Sequence, residues 1–150
     1  IPANAELITA CIGTDCSSGD SLGPIVGTLL RKNNVPDVIG TLDEPLEFHN
    51  YLARIGQQIK RRNNPFTIVI DAAVGTSEEV GQIIIREGPL CPGMDLYKGT
   101  VIPVGDMSIL GVVNEKNDNI LDTMNSTSLY RVTSMAKSIV SFIIQLLVEV

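Results

Sequence analysis

The chain has 150 residues, of which 44% are hydrophobic and 19% charged, so it is long enough to bury a core and too apolar to be disordered. Its formal net charge of −6 argues against a nucleic-acid partner, because phosphate binding needs a basic surface. The 3 cysteines leave one unpaired in any disulfide scheme and no secretory signal precedes the first strand, so we expect a cytoplasmic protein.

The first predicted element is a buried strand over residues 6–13, a short apolar run that ends at a glycine. A loop of small polar residues follows. A helix is predicted to begin at about Asp20 or Ser21, because Pro24 is tolerated only in the first helical turn. Asp20 is therefore expected at a junction between a strand and a helix, where open α/β folds keep their functional residues.

A second strand and helix are predicted next, over residues 38–42 and 46–62. A third strand over residues 66–72 carries Asp71 close to its end. A fourth strand over residues 80–86 follows a link that is too short for a crossover helix. We therefore expect the third and fourth strands to be antiparallel neighbours.

The chain is less regular between residues 87 and 125, where glycine and proline recur. We expect a weak strand over residues 100–104 and a short helix over residues 108–114. The final helix, over residues 126–149, is predicted either to pack wholly within the domain or to contribute to a homodimer. Its longest apolar stretch, residues 139–148, is about half of the roughly 20 residues needed to cross a bilayer, so no membrane span is predicted.

The order of these elements predicts one α/β domain over residues 1–150. Strands that alternate with helices, followed by an antiparallel strand, indicate a three-layer α/β/α sandwich on a mixed, mostly parallel sheet. Right-handed crossovers and the usual doubly wound order place the first strand between the second and the third. The carboxyl ends of the first and third strands then border one crevice, where we expect Asp20 and Asp71 to lie together.

Two carboxylates in one cleft can hydrolyse a bond without a cofactor. Since like charges do not both ionise easily, one carboxyl group stays protonated as an acid while the other activates water as a base. Each aspartate also has a purely structural interpretation, Asp20 as a helix cap and Asp71 as a strand terminus with a backbone partner. The sequence contains no phosphate-binding loop, dinucleotide motif or zinc-protease motif, so we expect no cofactor.

Other acidic residues are predicted at the same edge of the sheet. Asp15 lies in the first loop, and Asp43 and Glu44 follow the second strand. Such a rim can bind a hard cation, so a metal-dependent hydrolase that adds Asp43 to the two aspartates is one alternative. Because the rim lacks calcium-loop spacing and His49 is the only histidine, we predict no metal site.

Several motifs together resemble the YyaC-type sporulation proteins. The longest is Cys-Ile-Gly-Thr-Asp-Cys-Ser-Ser-Gly-Asp-Ser-Leu-Gly-Pro at residues 11–24. The resemblance continues through nearly the whole chain, at residues 40–45, 70–72, 88–93, 104–109 and 111–114. These proteins are similar to the spore germination protease and, more distantly, to the hydrogenase maturation proteases, all of which have α/β/α folds.

The resemblance implies an intracellular peptidase of the sporulation programme that acts on a protein or peptide. In the germination protease group two aspartates are the proposed catalytic pair, and the matching residues are Asp20 and Asp71. The strand that would supply a metal-recognising histidine in the hydrogenase maturation proteases has none here. The alternative is therefore a protease-like fold without turnover that serves as a binding or assembly protein.

Further residues are expected to support the site or bind substrate. The loop over residues 92–99 resembles a Pro-Gly loop of the family, in which backbone N–H groups can bind a developing oxyanion and Lys98 can assist. An ordinary surface loop is the alternative for this segment. The predicted supporting residues are Asp15, Ser21, Asp43, Glu44, Gly93 and Lys98.

Overall fold

Five strands form one mixed sheet in a computed structural model that describes residues 1–93 and 101–150. In chain order the strands are β1 (Glu6–Cys11), β2 (Val38–Ile39), β3 (Pro65–Gly75), β4 (Ile83–Glu87) and β5 (Met107–Glu115). The helices are α1 (Leu22–Lys32), α2 (Tyr51–Lys60), α3 (Ile120–Asn125) and α4 (Leu129–Glu149), and a 3₁₀ turn, Gly19–Ser21, precedes α1. The spatial order is β2-β1-β3-β5-β4, with all neighbours parallel except β4 and β5.

Helices cover both faces of the sheet, as the α/β/α prediction requires. Ile68 and Ile70 of β3 pack in a core with α1 and α4, whereas Val69 packs in a second core with α2. Since successive strand residues point to opposite faces, the two cores lie on opposite sides of the sheet. The predicted fold class is confirmed.

Helix α1 lies unusually close to the strands beneath it. A Cβ atom on Gly23 would overlap the Ile12 carbonyl oxygen, and one on Gly27 would overlap the carbonyl oxygen of Gly40. The two glycines lie four residues apart and therefore share one face of the helix. This contact holds the start of α1, and the Asp20 turn before it, against the end of β1.

The strand order confirms one expectation and corrects another. β1 lies between β2 and β3 as predicted. The helix expected over residues 108–114 is wrong, because this segment is strand β5 and pairs in parallel with β3. Its spacing of Ile109, Val112 and Val113 imitates one face of a helix, but all three are buried in a strand covered on both faces.

The insertion of β5 also corrects the predicted pairing of the fourth strand. β4 is antiparallel to β5 rather than a neighbour of β3. Its direction relative to β3 is as expected, because β5 and β3 are parallel. A short link can return the chain past one intervening strand. The length of the link therefore predicts the direction of β4, but it does not predict which strand β4 pairs with.

Several element boundaries also differ from the predictions. α2 begins at Tyr51 instead of residue 46, and β3 continues to Gly75, so that Asp71 lies inside the strand. The short helix α3 was not predicted. Of the weak strand over residues 100–104, the described part forms one antiparallel bridge between Val104 and Leu90.

The final helix α4 spans 21 residues, close to the prediction. By length and composition alone, its mean hydropathy of 1.5 would suit a membrane-crossing helix. One face of α4 packs in the core with α1 and the sheet. The residues buried there are Val132, Met135, Ala136, Ile139, Val140 and Ile143.

Candidate active site

Asp71 is a buried carboxyl group in the middle of β3. It pairs with Leu110 of β5, and its side chain is on the same face of the sheet as Val69. Only 8% of the residue is exposed, and its Oδ1 accepts a hydrogen bond from the Ala72 N–H at 2.9 Å. Burial, followed by the charge of Asp20, raises the pKa of Asp71 well above its ordinary value. Asp71 therefore gives up its proton less readily than an ordinary aspartate does.

Asp20 belongs to the 3₁₀ turn that leads into α1. Its carbonyl oxygen accepts the Thr14 N–H at 3.1 Å, and a Cβ on Gly13 would overlap that same oxygen. The loop therefore closes tightly on the Asp20 backbone. The Asp20 carboxylate caps no helix and forms no hydrogen bond or ion pair with residues 1–93 or 101–150. The structural interpretation of Asp20 as a helix cap is not supported.

A hydroxyl group anchors the loop that carries Asp20. Ser18 Oγ lies 2.7 Å from the Thr127 carbonyl oxygen and 3.1 Å from that of Met124, at the end of α3. A Cβ on Gly19 would meet the side chains of both residues. The turn before α1 is thus held against the α3–α4 connection, far away in sequence.

The two aspartates differ in the ease with which they ionise. Burial, followed by the charge of Glu47, raises the pKa of Asp20 to about 6. Asp71 is the more buried group and has Asp20 as its charged neighbour, so its pKa is raised further. Asp20 is therefore mostly ionised at neutral pH, whereas burial and the charge of Asp20 favour the protonated form of Asp71.

Two adjoining cavities meet at the aspartate pair. They have volumes of about 380 and 300 Å³ and share Asp20, Asp71 and Gly93 in their walls. The larger cavity is also lined by Ala72, Ala73, Arg86, Pro89, Leu90, Cys91, Leu110, Ile120 and Met124. The smaller is completed by Ile12, Gly13, Thr14, Glu47, Phe48, His49 and Pro92.

The predicted supporting residues have different positions relative to this cleft. Gly93 is in both walls with φ of +69°, a backbone conformation that favours glycine. Ser21 is buried behind the cleft, where its Oγ donates to the Ser18 carbonyl oxygen at 2.6 Å. Lys98 lies outside the described residues.

The acidic rim does not join the aspartate pair. Asp15, Asp43 and Glu44 are exposed and line neither cavity. Asp43 Oδ1 accepts from Thr41 Oγ1 at 2.6 Å, and this hydrogen bond is the main reason why the pKa of Asp43 is lowered. Glu44 lies 3.9 Å from the guanidinium of Arg54.

The position of Asp43 bears on the metal-dependent alternative. Because Asp43 points to Thr41, the three aspartates of that alternative do not share one site. Within residues 1–93 and 101–150, no three His, Cys, Asp or Glu side chains converge as metal ligands would. His49 is 74% exposed at its side chain, with Nδ1 3.5 Å from Glu47 Oε2.

Several polar residues of the cleft are not predicted from the sequence. Glu47 and His49 fall within the helix predicted over residues 46–62, but they form the turn after an isolated bridge between Leu46 and Ile12. Arg86 and Cys91 had no local signal, because only the β5–β4 pairing brings them to the pair.

The architecture is that of a protease-like α/β domain. The chain is similar to the [NiFe] hydrogenase maturation protease HybD from Thermococcus kodakarensis, with a TM-score of 0.56 over 94% of this chain and 98% of that one, at 12% identity. The corresponding protease HycI from Thermococcus kodakarensis KOD1 gives a TM-score of 0.48 over 91% of each chain, at 18% identity. At 12% identity the likeness to HybD establishes the fold alone.

The chain belongs to the family described as "Protein of unknown function (DUF1256)", whose profile matches residues 1–142. It is 38% identical over 136 residues to the "Uncharacterized protein YyaC" of Bacillus subtilis (strain 168). The match covers 89% of this chain and 66% of that relative, so the chain spans just under two thirds of the relative's length. The resemblance expected from the motifs is confirmed.

Proposed function

We propose that the chain is a peptidase in which Asp20 and Asp71 hydrolyse a peptide bond through a water molecule. The observation that carries this proposal is the meeting of two unequally buried carboxyl groups in one cleft. Among the described residues the Asp20 carboxylate has no hydrogen-bond or ion-pair partner, and Asp71 is a buried carboxyl group with a raised pKa. General acid–base hydrolysis requires this combination of one base and one acid at the same pH.

Because Asp20 ionises more easily than Asp71, each aspartate can be assigned a role. The Asp20 carboxylate accepts a proton from water while the water oxygen forms a bond to the carbonyl carbon of the substrate. Asp71 donates its proton to the developing oxyanion, which gives a neutral tetrahedral diol. The C–N bond then breaks as Asp20 passes the proton from water to the nitrogen and Asp71 takes back a proton from a hydroxyl of the diol. Both aspartates return to their starting states, and one water is consumed. The Ala72 N–H holds Asp71 Oδ1 in place during this cycle.

The loop that begins at Pro92 and Gly93 is the proposed oxyanion-binding segment. Gly93 already lines both cavities. Backbone N–H groups at a glycine can approach a substrate oxygen closely because no side chain intervenes. Lys98 is proposed to assist as a cation.

The substrate is proposed to be a protein or peptide in the cytoplasm of a sporulating cell. The sporulation role is supported by the motif resemblance, and the cytoplasmic location by three free thiols, Cys11, Cys16 and Cys91. The net charge of −6 supports a partner other than nucleic acid. We further propose that the protein functions away from membranes, and a homodimer through α4 remains a proposal.

The experiment compares Asp20→Asn and Asp71→Asn with the unchanged protein on a synthetic peptide library, with products read by mass spectrometry. Each variant should reduce cleavage at least a hundredfold, or about 2.7 kcal/mol in activation free energy. Asp15→Asn is the matched control, since Asp15 is exposed and lines neither cavity. Cleavage that persists in both Asp20→Asn and Asp71→Asn contradicts the proposal. A stable protein partner that both variants retain would favour the binding-protein alternative.

A further inference from the structure

The outer edge of β4 presents backbone groups with no strand beside them. Among the described residues β4 pairs only with β5, since it is the last strand in the sheet order. On either side of β4, Gln82 accepts from the Val112 N–H and Gly88 donates to the Asp106 carbonyl. Because an antiparallel ladder alternates, the odd-numbered residues between them turn N–H and C=O outward. These residues are Ile83, Ile85 and Glu87.

This edge has few of the features that prevent strand addition. Natural edge strands are commonly blocked by lysine, proline or a covering segment. β4 has the sequence Ile-Ile-Ile-Arg-Glu, without lysine or proline, and Ile85 is 42% exposed. An apolar open edge of this kind is suited to pairing with another extended chain.

Depressions lie on both faces of the sheet at this edge. On one face, Arg86 lines the cavity that contains the aspartate pair. On the other face, a groove of about 410 Å³ lies between Ile83 and the start of α4, with Tyr130 and Ser134 in its wall. Side chains of an extended chain alternate between the two faces, so an added strand would direct successive side chains toward the cavity and the groove.

We propose that the free edge of β4 binds an extended segment of the substrate polypeptide as a sixth strand. Three strand spacings, about 14 Å, separate this position from β3, which carries Asp71. Roughly four to five extended residues span that distance, so a docked chain can reach the cleft with its scissile bond. A second copy of the protein is disfavoured at the edge, because it would bring the same net charge of −6. The choice of occupant rests on the proposed peptidase function.

The test measures binding in the Asp71→Asn protein, so that turnover does not intervene. The probe is fluorescein-labelled ribonuclease A that has been reduced and carbamidomethylated, which keeps it unfolded and, unlike a second copy of this chain, free of net negative charge. Ile85→Pro removes one outward N–H and no bond to β5, and proline is tolerated at such edge positions. Binding measured by anisotropy should weaken about tenfold or more, whereas the control Ile85→Val should bind normally. Bound probe should also slow amide exchange at Ile83, Ile85 and Glu87.

Ile85→Glu serves as a second variant, because it places a charge on the edge without altering the backbone, and it should weaken binding to a similar degree. Failure of the probe to bind, or binding within twofold by a folded Ile85→Pro protein, overturns the inference. A concentration-dependent dimer that Ile85→Pro abolishes assigns the edge to a second copy and also overturns it. Since no cleavage is measured, the outcome is separate from that of the peptide-library assay, which tests the peptidase function.

Discussion

At the scale of single residues, burial decides what the two aspartates can do. Asp71 lies inside a strand with 8% of its surface exposed. Its ionised form would therefore lack most of the hydration that stabilises a carboxylate in water. Asp20 is less buried, but Glu47 adds a like charge in the same cavity. The sequence predicted that two carboxyl groups would meet. The assignment of base and acid came from their surroundings.

The pH dependence of cleavage should reflect this pair. We expect kcat/KM to rise with the ionisation of Asp20, at a midpoint of about 6, and to fall at higher pH as Asp71 loses its proton. Glu47→Gln removes the neighbouring charge that raises the pKa of Asp20, so the acidic limb should move to lower pH. Glu44→Gln, at an exposed carboxylate outside the cleft, should leave the limb in place. A limb that does not move in Glu47→Gln contradicts the interpretation.

The raised pKa of Asp20 also has a consequence for stability. The unfolded carboxyl group ionises from its ordinary value of 3.8, whereas the folded one keeps its proton until about 6. The stability that this proton contributes is therefore present below pH 3.8 and lost as the pH rises to about 6. Asp20→Asn should raise the free energy of unfolding at pH 7 by about 2 kcal/mol, allowing for partial exposure, and change it little at pH 3.5. Urea denaturation at both pH values measures the change in the free energy of unfolding. An equal gain at both pH values would show that the raised pKa of Asp20 is not its cause.

At the scale of elements, close packing of α1 on the sheet places the Asp20 turn. Gly23 and Gly27 allow the helix to approach the backbone of β1 and β2, and Ser18 ties the turn to the α3–α4 connection. The helix itself was predictable from its apolar spacing and from Pro24. Its distance from the strands was not, because no local pattern reports how near two elements lie.

A pair of glycine variants separates close packing from helix propensity. Gly27→Ala forces a Cβ into the Gly40 carbonyl oxygen and should lower the free energy of unfolding by about 2–4 kcal/mol, because the backbone of the sheet must shift. Gly56→Ala, in α2, meets open space and should raise it by up to about 1 kcal/mol through helix propensity. Chemical denaturation monitored by circular dichroism measures both. Equal effects would show that α1 does not depend on the close contact.

At the scale of the whole molecule, one core joins the sheet to α1 and α4. Ile139 is fully buried in that core together with Leu30 of α1 and Ile109 of β5. Distant parts of the chain therefore share one set of contacts and are expected to unfold together.

Truncation of that shared core should destabilise every element at once. Ile139→Ala is expected to lower the free energy of unfolding by about 2–5 kcal/mol, with a single transition in both circular dichroism and tyrosine fluorescence. Val148→Ala, on the same helix but 82% exposed, should change it by less than about 0.5 kcal/mol. Separate transitions for the two probes would mean that α4 is not part of the cooperative unit.

The sequence by itself determined the elements whose signals are local. The junction at Asp20, the β-α-β order and the position of Asp71 on an apolar strand follow from hydrophobic periodicity and from the restrictions on proline and glycine, which act over a few residues. Only the tertiary structure decided that β5 separates β3 from β4, and that Glu47 and Arg86 face the aspartate pair while Asp43 does not. The physical reason is that strand pairing and desolvation depend on contacts between residues far apart in sequence. The unequal burial of Asp20 and Asp71 arises from those contacts.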